Sequence, residues 1–418
     1  MLYDRWQRIA GKNCDKLALR DLASGRQWTF GELADARPES TGAGRGLSCP
    51  RGNGASFILK LLEAWRTRQV VCPLEPNQSP PEVPAPPAGT IHLKLTSATT
   101  QGARLVAFTA EQLAADADQI VTTMGLRPDW PNLGVISMAH SYGFSNLVLP
   151  LLLHGVPLFL LESALPESLR QACALAPQLT LAAVPALWRT WHEAGTLPPN
   201  VRLAISAGAP LPLALEQGVF KRSGLKIHNF YGATECGGIA YDCSDEPRND
   251  PTCIGMPLHD VRLSIGPDRC LEVRGASVGM TYWPEPGEAL QAGCYRTSDL
   301  VELQDGLVHL RGRAGDQINV AGRKVSPETI ERELLQCEGV QDCLVFGAPS
   351  PETERSEIIV ACVVALPSIR VEQVRQFLLE RLPAWQVPRE WKFVPSLSPN
   401  ERGKLSRMEW RKRLGYGV

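Results

Sequence analysis

Short apolar runs alternate with amphipathic stretches through the middle of the chain, between about residues 106 and 230. The apolar runs predict buried strands, and the amphipathic stretches predict helices. The predicted strands are 133–138, 156–161, 179–184, 201–206 and 225–230, and the predicted helices are 108–124, 142–153, 167–175, 186–194 and 213–223. This alternation indicates an α/β fold with a mainly parallel sheet covered by helices on both faces.

The pattern differs on either side of this region. Residues 1–72 predict a small α/β lead-in, and residues 73–88 contain seven prolines, which indicate an exposed connector. After residue 251, short strands with turns predict a β-subdomain, and beyond Arg313 a compact α+β module begins. We therefore predict a large N-terminal domain of mixed and parallel sheets, residues 1–313, and a small C-terminal domain, residues 314–418.

Composition narrows the class of protein. The chain has 418 residues, a formal net charge of −1, 44% hydrophobic residues and 21% charged residues. These values are ordinary for a globular protein and favour neither nucleic acid nor membrane as a partner. The 12 cysteines are scattered without a zinc-binding spacing. Residues 1–16 lack a signal-peptide core, and the apolar stretch 147–153 is too short to span a bilayer. We expect a cytoplasmic protein.

The stretch 229–235, Asn-Phe-Tyr-Gly-Ala-Thr-Glu, offers the first candidate chemistry. A predicted strand breaks at Gly232 and presents Thr234 and Glu235 at the carboxyl edge of the sheet, where open α/β folds bind ligands. A hydroxyl suits a phosphate oxygen, and a carboxylate suits Mg²⁺. A strand end followed by an ordinary polar loop is the alternative.

A second candidate is the loop that follows the predicted strand near residue 93. It contains four hydroxyl groups and ends near a cation, an arrangement able to wrap phosphates, although such loops are common. Its polar residues are Thr96, Ser97, Thr99, Thr100 and Arg104.

Several segments in a fixed order resemble the acyl-adenylate-forming (AMP-binding) superfamily, which includes acyl- and aryl-CoA synthetases. The segments are 96–104, 206–211, 231–235, 272–283, 295–299, 311–322 and 403–404. The resemblance implies ATP- and Mg²⁺-dependent activation of a fatty or aryl acid to acyl-AMP. The acyl group would then pass to a thiol, either CoA or the phosphopantetheine of a carrier protein. A small mobile C-terminal domain would be joined to the large domain near 313–316.

The resemblance also implies roles for individual residues. Lys404 would bridge the carboxylate and the α-phosphate, and Glu235 would bind Mg²⁺ beside Thr234. Asp299, with its neighbour Arg313, would accept the ribose hydroxyls. The C-terminal domain would rotate about Gly315 and bring Gly322 to the path of the pantetheine arm. The adenine slot would be formed by Gly208, Ala209 and Pro210 with Tyr231, and Gly232 would also contribute to cofactor binding.

The acid pocket is expected after the predicted strand 133–138, where His140 matches the gating position of acyl- and aryl-CoA synthetases. No Asp lies between Asp129 and Glu162 to pair a substrate ammonium, so an α-amino acid is disfavoured. The lining residues would be Tyr142, Gly143, Ala207, Cys236, Gly237 and Gly238. These residues leave open a fatty or an aryl acid, and CoA or a carrier protein.

Some positions depart from the family pattern. Ala98 and Gln101 stand where glycines are usual, and Arg104 stands where lysine is usual. A catalytically impaired nucleotide- or acyl-binding homologue therefore remains an alternative, as does an amino-acid adenylation protein. The basic stretch 401–413 favours a solvated tail over a contact with an acidic carrier or a nucleotide phosphate.

Overall fold

The computed structural model describes residues 1–37, 46–82, 84–96, 104–291, 293–350, 357–397 and 405–416. The chain divides into two compact units. The larger unit comprises Met1–Ser264, Glu272–Thr297 and Leu303–Val308, and the smaller comprises Ile265–Leu271, Ser298–Glu302 and His309–Val418. Both combine helices and sheets, so the predicted α/β fold class is confirmed.

A mixed sheet forms the centre of the larger unit. Its strands, in spatial order, are Gln27–Thr29, Leu17–Asp21, Leu158–Leu160, Asn132–Gly134, Leu179–Ala183, Val201–Ser206, Ile227–Ala233, Gly237–Tyr241 and Cys253–Pro257. The strands from Leu17–Asp21 to Ile227–Ala233 run parallel. The first strand and the last two are antiparallel to their neighbours. Burial of the parallel strands explains their continuous apolar sequences.

A second sheet carries the predicted phosphate loop. Its strands, in order, are Thr281–Trp283, Leu105–Phe108, His92–Leu95, Val70–Val71 and Leu47–Ser48. Strands His92–Leu95 and Leu105–Phe108 are antiparallel to each other. The two ends of the predicted loop are bound to each other, because Thr96 N–H donates to the Arg104 carbonyl at 2.8 Å and Arg104 N–H donates to the Thr96 hydroxyl at 3.0 Å.

The helices of the larger unit cover these sheets. They are Leu2–Lys12, Phe30–Asp35, Ala55–Arg66, Ala110–Met124, Ser141–Gly143, the π-helical segment Phe144–Val148, Leu149–His154, Pro166–Cys173, Pro185–Glu193 and Leu213–Ser223. The helix predicted at 108–124 begins two residues later, because Phe108 completes a buried strand and the Thr109 hydroxyl caps the helix by accepting from Gln112 N–H. No helix among the described residues is long and apolar enough to cross a membrane.

The strand predicted at 133–138 is also shorter than expected. Asn132–Gly134 is the strand, and the chain then leaves the sheet, where Met138 N–H donates to the side chain of Asn53 at 3.0 Å. A side chain distant in sequence thus replaces the expected ladder partner.

The smaller unit has its own core around a short sheet. Its sheet is formed by Val340–Pro349, Glu357–Ala365 and Glu390–Phe393, with a separate hairpin of Ile318–Val320 and Arg323–Val325. Its helices are Pro327–Leu334, Val371–Leu379 and Arg407–Arg413, with 3₁₀ turns at Ala314–Asp316 and Ala384–Gln386. The remaining strands of the chain are Arg262–Ile265, Cys270–Arg274, Leu290–Gln291, Cys294–Gln304 and Leu307–Arg313.

The basic stretch at 401–413 is not simply a solvated tail, as the sequence had favoured. Residues 401–404 lie outside the described part of the chain. After them, Trp410 is buried, and Arg407 forms ion pairs with Asp316, Glu328 and Glu331. Of the six Lys and Arg side chains in 401–413, at least Arg407 therefore stabilises the smaller unit through ion pairs.

Candidate active site

The hairpin that carries Thr234 and Glu235 joins two strands, Ile227–Ala233 and Gly237–Tyr241. The prediction that the first strand breaks at Gly232 is wrong, because Gly232 still pairs with Gly238. A Cβ at position 232 would lie 2.7 Å from the Gly237 carbonyl oxygen, so the glycine allows close approach inside the hairpin. The turn itself spans 234–236 and leaves Thr234 and Glu235 partly exposed.

Glu235 belongs to a cluster that also contains Tyr282 and Arg104. The Tyr282 hydroxyl donates to Glu235 Oε1 at 3.0 Å. The Arg104 guanidinium lies 5.0 Å from the centroid of the Tyr282 ring, within cation–π range. Strand Thr281–Trp283 pairs with Leu105–Phe108, and this pairing places the tyrosine beside the end of the predicted phosphate loop. The predicted metal ligand and the predicted phosphate-binding cation are thus neighbours.

Sequence analysis did not single out Tyr282. Its position in the family-like segment 272–283 was the available signal, but only the pairing of two distant strands shows what its hydroxyl contacts. Burial and the neighbouring Glu235 carboxylate raise the pKa of Tyr282 above its usual value. The phenol therefore stays neutral near pH 7 and keeps the proton that it donates to Glu235.

The donor set around Glu235 suits Mg²⁺ that binds together with phosphates. The described residues contain no group of three or more His, Cys, Asp or Glu side chains able to hold a metal ion. Mg²⁺ is commonly bound by one or two carboxylates, with phosphate oxygens and water completing its coordination. A single partly exposed carboxylate close to an arginine fits this type of site.

The predicted adenine slot lies at the carboxyl edge of the main sheet. Gly208, Ala209 and Pro210 are exposed just after strand Val201–Ser206. That strand is parallel to Ile227–Ala233, so Tyr231 and Gly232 emerge at the same edge. Gly208 has a φ of +86°, a left-handed conformation that favours glycine.

The smaller unit contains the predicted ribose and hinge residues. Arg313 Nε donates to Asp299 Oδ1 at 2.9 Å, and Asp299 is buried while Arg313 is half-exposed. Gly315 lies in the 3₁₀ turn Ala314–Asp316, and Gly322 lies in a hairpin turn with a φ of +84°. Four predicted site residues lie outside the described residues: Ser97, Thr99, Thr100 and Lys404.

Two aromatic rings define one part of the predicted acid pocket. The ring centroids of Tyr142 and Phe230 are 5.9 Å apart, and the Tyr142 hydroxyl donates to the Ile205 carbonyl at 3.2 Å. A Cβ added to Gly238 would lie 3.2 Å from the Phe230 ring, and one added to Gly143 would lie 2.0 Å from the Ser137 carbonyl. The structure thus brings Tyr142 and Gly238 together around Phe230, whereas Gly143 packs against the backbone at Ser137.

The other predicted wall residues follow the same strands. Ala207 is buried at the end of strand Val201–Ser206, and Cys236 and Gly237 are buried at the start of the hairpin's second strand. Burial raises the pKa of the Cys236 thiol well above its usual value. Cys236 is therefore a poor nucleophile.

His140, the predicted gate, lies beside a carboxylate that the sequence did not single out. His140 Nε2 lies 3.2 Å from Glu75 Oε1, and the same oxygen accepts a hydrogen bond from the Ser137 hydroxyl. Glu75 belongs to the proline-rich connector, which the sequence indicated only as an exposed linker. The contact joins residues 65 positions apart in sequence and orients the imidazole of His140 at the start of the pocket helix, which comprises residues 141–154.

The comparison with protein-family models decides the family. Residues 54–283, more than half of the chain, match the AMP-binding enzyme model, and residues 329–404 match the AMP-binding enzyme C-terminal domain. The chain belongs to the AMP-binding enzyme family. The resemblance inferred from the ordered motifs is confirmed.

Curated relatives of this AMP-binding enzyme include two ligases of aryl acids. It is 26% identical over 363 residues to a feruloyl-CoA synthase of Amycolatopsis sp, covering 81% of this chain and 73% of that protein. It is 27% identical over 300 residues to the 3,4-dihydroxybenzoate–[aryl-carrier protein] ligase of Bacillus anthracis, covering 71% of this chain and 65% of that protein.

Solved structures confirm the fold of the AMP-binding enzyme. ATP-bound MatB from Rhodopseudomonas palustris superposes with a TM-score of 0.86 at 20% identity, covering 99% of each chain. Members of the family activate a carboxylic acid by ATP-dependent adenylation and transfer the acyl group to a thiol. The chain is accordingly an acid–thiol ligase of the acyl-CoA synthetase type.

Proposed function

We propose that this acid–thiol ligase activates an aryl carboxylic acid with ATP and Mg²⁺ and transfers the acyl group to CoA. The observation that supports the proposal best is the cluster of Arg104, Tyr282 and Glu235, because it joins a phosphate-loop cation to a candidate Mg²⁺ ligand. Adenylation brings two anions together at the α-phosphorus, so fixed cations and donors at that point lower the barrier.

Glu235 would hold Mg²⁺, and the bound cation would neutralise part of the phosphate charge. Arg104 would remain close to the phosphates through its contact with the Tyr282 ring. Lys404 would bridge the attacking carboxylate and the α-phosphate, because a long flexible ammonium can enter and leave the site. Hydroxyl donors to the phosphates would be Thr96, Ser97, Thr99, Thr100 and Thr234.

The nucleoside would bind at the carboxyl edge of the main sheet. Exposed backbone at 208–210 and the side chain of Tyr231 leave the sheet at the same edge, which favours a flat base in that position. Asp299 would accept from the ribose hydroxyls. Its hydrogen bond from Arg313 at 2.9 Å holds the carboxylate in one orientation.

The pocket walls favour an aromatic acid over a long fatty acid. The rings of Tyr142 and Phe230 offer an aromatic surface, with their centroids 5.9 Å apart. Asp116 closes the space behind Gly237, where an added Cβ would lie 2.0 Å from Asp116 Oδ1. A long alkyl chain that reached this depth would meet a buried carboxylate. His140 would gate the pocket.

CoA is the proposed acceptor, and a carrier-protein phosphopantetheine is the competing outcome. The feruloyl-CoA synthase is named for CoA, and the dihydroxybenzoate ligase is named for a carrier protein. Gly315 would act as the hinge before thioester formation, and Gly322 would lie near the pantetheine arm, where the missing side chain permits close approach.

The test is acid-dependent release of pyrophosphate from MgATP across aryl, fatty and α-amino acids, with and without CoA. We expect release with an aryl acid and acyl-CoA formation when CoA is added. We expect Glu235→Gln to lower the adenylation rate by about 100-fold, and Glu162→Gln, an exposed matched control, to leave it unchanged.

Other outcomes would contradict parts of the proposal. Release with fatty or amino acids alone would overturn the aryl assignment. Adenylation without acyl-CoA formation would favour a carrier protein as acceptor. Bound ATP without release for any acid would favour the catalytically impaired homologue.

A further inference from the structure

A buried ion pair lies directly behind the proposed acid pocket. Lys94 and Asp116 are both almost completely buried, with Lys94 Nζ 3.6 Å from Asp116 Oδ2. Lys94 comes from strand His92–Leu95, and Asp116 comes from helix Ala110–Met124. A buried ion pair is costly to desolvate and is weak support for stability by itself, so its contacts deserve a functional explanation.

Asp116 joins the two chain segments that line the proposed pocket. Its Oδ1 accepts from Gly238 N–H at 3.2 Å, on the strand that follows the Glu235 turn. Its Oδ2 accepts from the Ser145 hydroxyl at 2.5 Å, on the helical segment that follows His140. One carboxylate thus fixes the spacing between Gly238 and Ser145.

Lys94 supports the same arrangement from the other side. Its ammonium donates to the hydroxyls of Ser141 and Ser145, each at 3.3 Å, and lies 4.8 Å from the centroid of the Phe108 ring. Burial lowers the pKa of Lys94, and the Asp116 carboxylate opposes that change. The lysine is therefore both the counterion of Asp116 and a tether for the start of the pocket helix.

Glycine at position 237 is required by this packing. Gly237 has a φ of +74°, and an added Cβ would lie 2.0 Å from Asp116 Oδ1. The carboxylate therefore lies against the backbone of the pocket wall without an intervening side chain.

We propose that Asp116 is a positioning residue for acid binding, which holds the two walls of the acid pocket in register with Lys94 as its counterion. The inference rests on the proposed function, because it concerns the pocket of the same acid substrate. Asp116 acts through Gly238 and Ser145 and has no proposed contact with the reacting carboxylate or the α-phosphate.

The test compares the KM for the acid with the KM for ATP in the full-length enzyme. We expect Asp116→Ala to raise the acid KM by about tenfold while the ATP KM changes by less than about twofold. Asp116→Asn keeps an acceptor for Gly238 N–H and a donor for the Ser145 oxygen. We therefore expect it to hold the acid KM within about twofold of the wild-type value.

Lys94→Met leaves the Asp116 charge buried without its counterion, so we expect a lower melting temperature and a higher acid KM. Combining it with Asp116→Asn removes the unpaired charge and should restore both quantities toward the values of Asp116→Asn alone. Ser145→Ala is a smaller change that removes one wall contact. We expect it to raise the acid KM by about threefold. This variant replaces Asp116→Ala in the test if Asp116→Ala does not fold.

Asp242→Ala is the matched control. The Asp242 carboxylate is also buried and pairs with a buried lysine, Lys226, at 2.6 Å. We expect this variant to be less stable but unchanged in acid KM.

Two results would overturn the positioning role. One is a folded Asp116→Ala or Ser145→Ala enzyme whose acid KM is unchanged, and the other is an equal rise in the KM values for acid and ATP. Wild-type enzyme that releases no pyrophosphate with any acid would instead overturn the proposed function.

Discussion

At the scale of single residues, the hydroxyl of Tyr282 is the most informative group in the site. Its ring lies against Arg104, and its hydroxyl donates to Glu235, so the two contacts can be separated by one substitution. A hydrogen bond to a charged acceptor contributes about 1.5–3 kcal/mol, more than a neutral one.

Tyr282→Phe should keep the cation–π contact and lose the hydrogen bond to Glu235. We expect kcat/KM for MgATP in adenylation to fall by about tenfold, because the carboxylate loses the donor that fixes its orientation. Acid-dependent pyrophosphate release measures this. The control is Tyr241→Phe, at a buried tyrosine that ends strand Gly237–Tyr241 in the main sheet. Equal activity of the two variants would show that the hydroxyl does not support the metal ligand.

The residues that sequence analysis missed have partners far away in the chain. Glu75 contacts His140, and Tyr282 contacts Glu235, across 65 and 47 positions. Neither contact leaves a local periodicity, so patterns of hydrophobic and polar positions cannot indicate it. Thr234 and Glu235 are candidates from the sequence alone because a strand followed by polar residues is a local signal.

At the scale of elements, prediction succeeded where one period extends over the whole segment. The strand Val201–Ser206 and the helix Leu213–Ser223 have the bounds that their patterns predict. The π-helical segment Phe144–Val148 was predicted as ordinary helix, because an extra residue in a turn does not change the apolar composition. The sequence predicts a strand break at Gly232, but the turn lies at 234–236. Gly232 allows close packing against Gly237 and does not end the strand.

The helix Arg407–Arg413 is tied to two other elements of the smaller unit. The Arg407 guanidinium lies 2.8 Å from Asp316, in the 3₁₀ turn, and 2.7 Å from Glu331, on helix Pro327–Leu334. Burial raises the pKa of Glu331 from its ordinary value of 4.5 to about 7, although Arg407 acts in the opposite direction.

This pKa predicts how the stability of the smaller unit depends on pH. Between pH 4.5 and about 7, native Glu331 retains a proton that the unfolded chain has released, so stability decreases as pH rises and then levels off. We expect a lower melting temperature for the smaller unit at pH 8 than at pH 5. Glu331→Gln should reduce this dependence, whereas Glu372→Gln, an exposed control, should retain it. Calorimetry that shows the same slope in both variants would contradict the assignment.

At the scale of the whole molecule, the family's two half-reactions would use different residues of the smaller unit. Adenylation would need the Lys404 segment of the smaller unit, whereas thioester formation would need Gly322. The proposed hinge residue, Gly315, is exposed in the 3₁₀ turn Ala314–Asp316. Apart from its chain neighbours, no described residue has an atom within 4 Å of a Cβ added to it. A larger residue can therefore replace this glycine without a clash.

Gly315→Pro tests whether that freedom of rotation is used. A 3₁₀ turn has φ near the value that proline fixes, so the substitution should preserve the conformation seen here and restrict departure from it. If adenylation uses this conformation, acid-dependent pyrophosphate release should persist while acyl-CoA formation falls by at least about tenfold. Loss of pyrophosphate release, with acyl-CoA still formed from added acyl-adenylate, would show that thioester formation uses it. Gly315→Ala, which retains a rotatable φ, should leave both steps near wild type. If both steps in the proline variant keep their wild-type rates, the C-terminal domain does not rotate about Gly315. A fixed φ at the true hinge would slow one half-reaction more than the other.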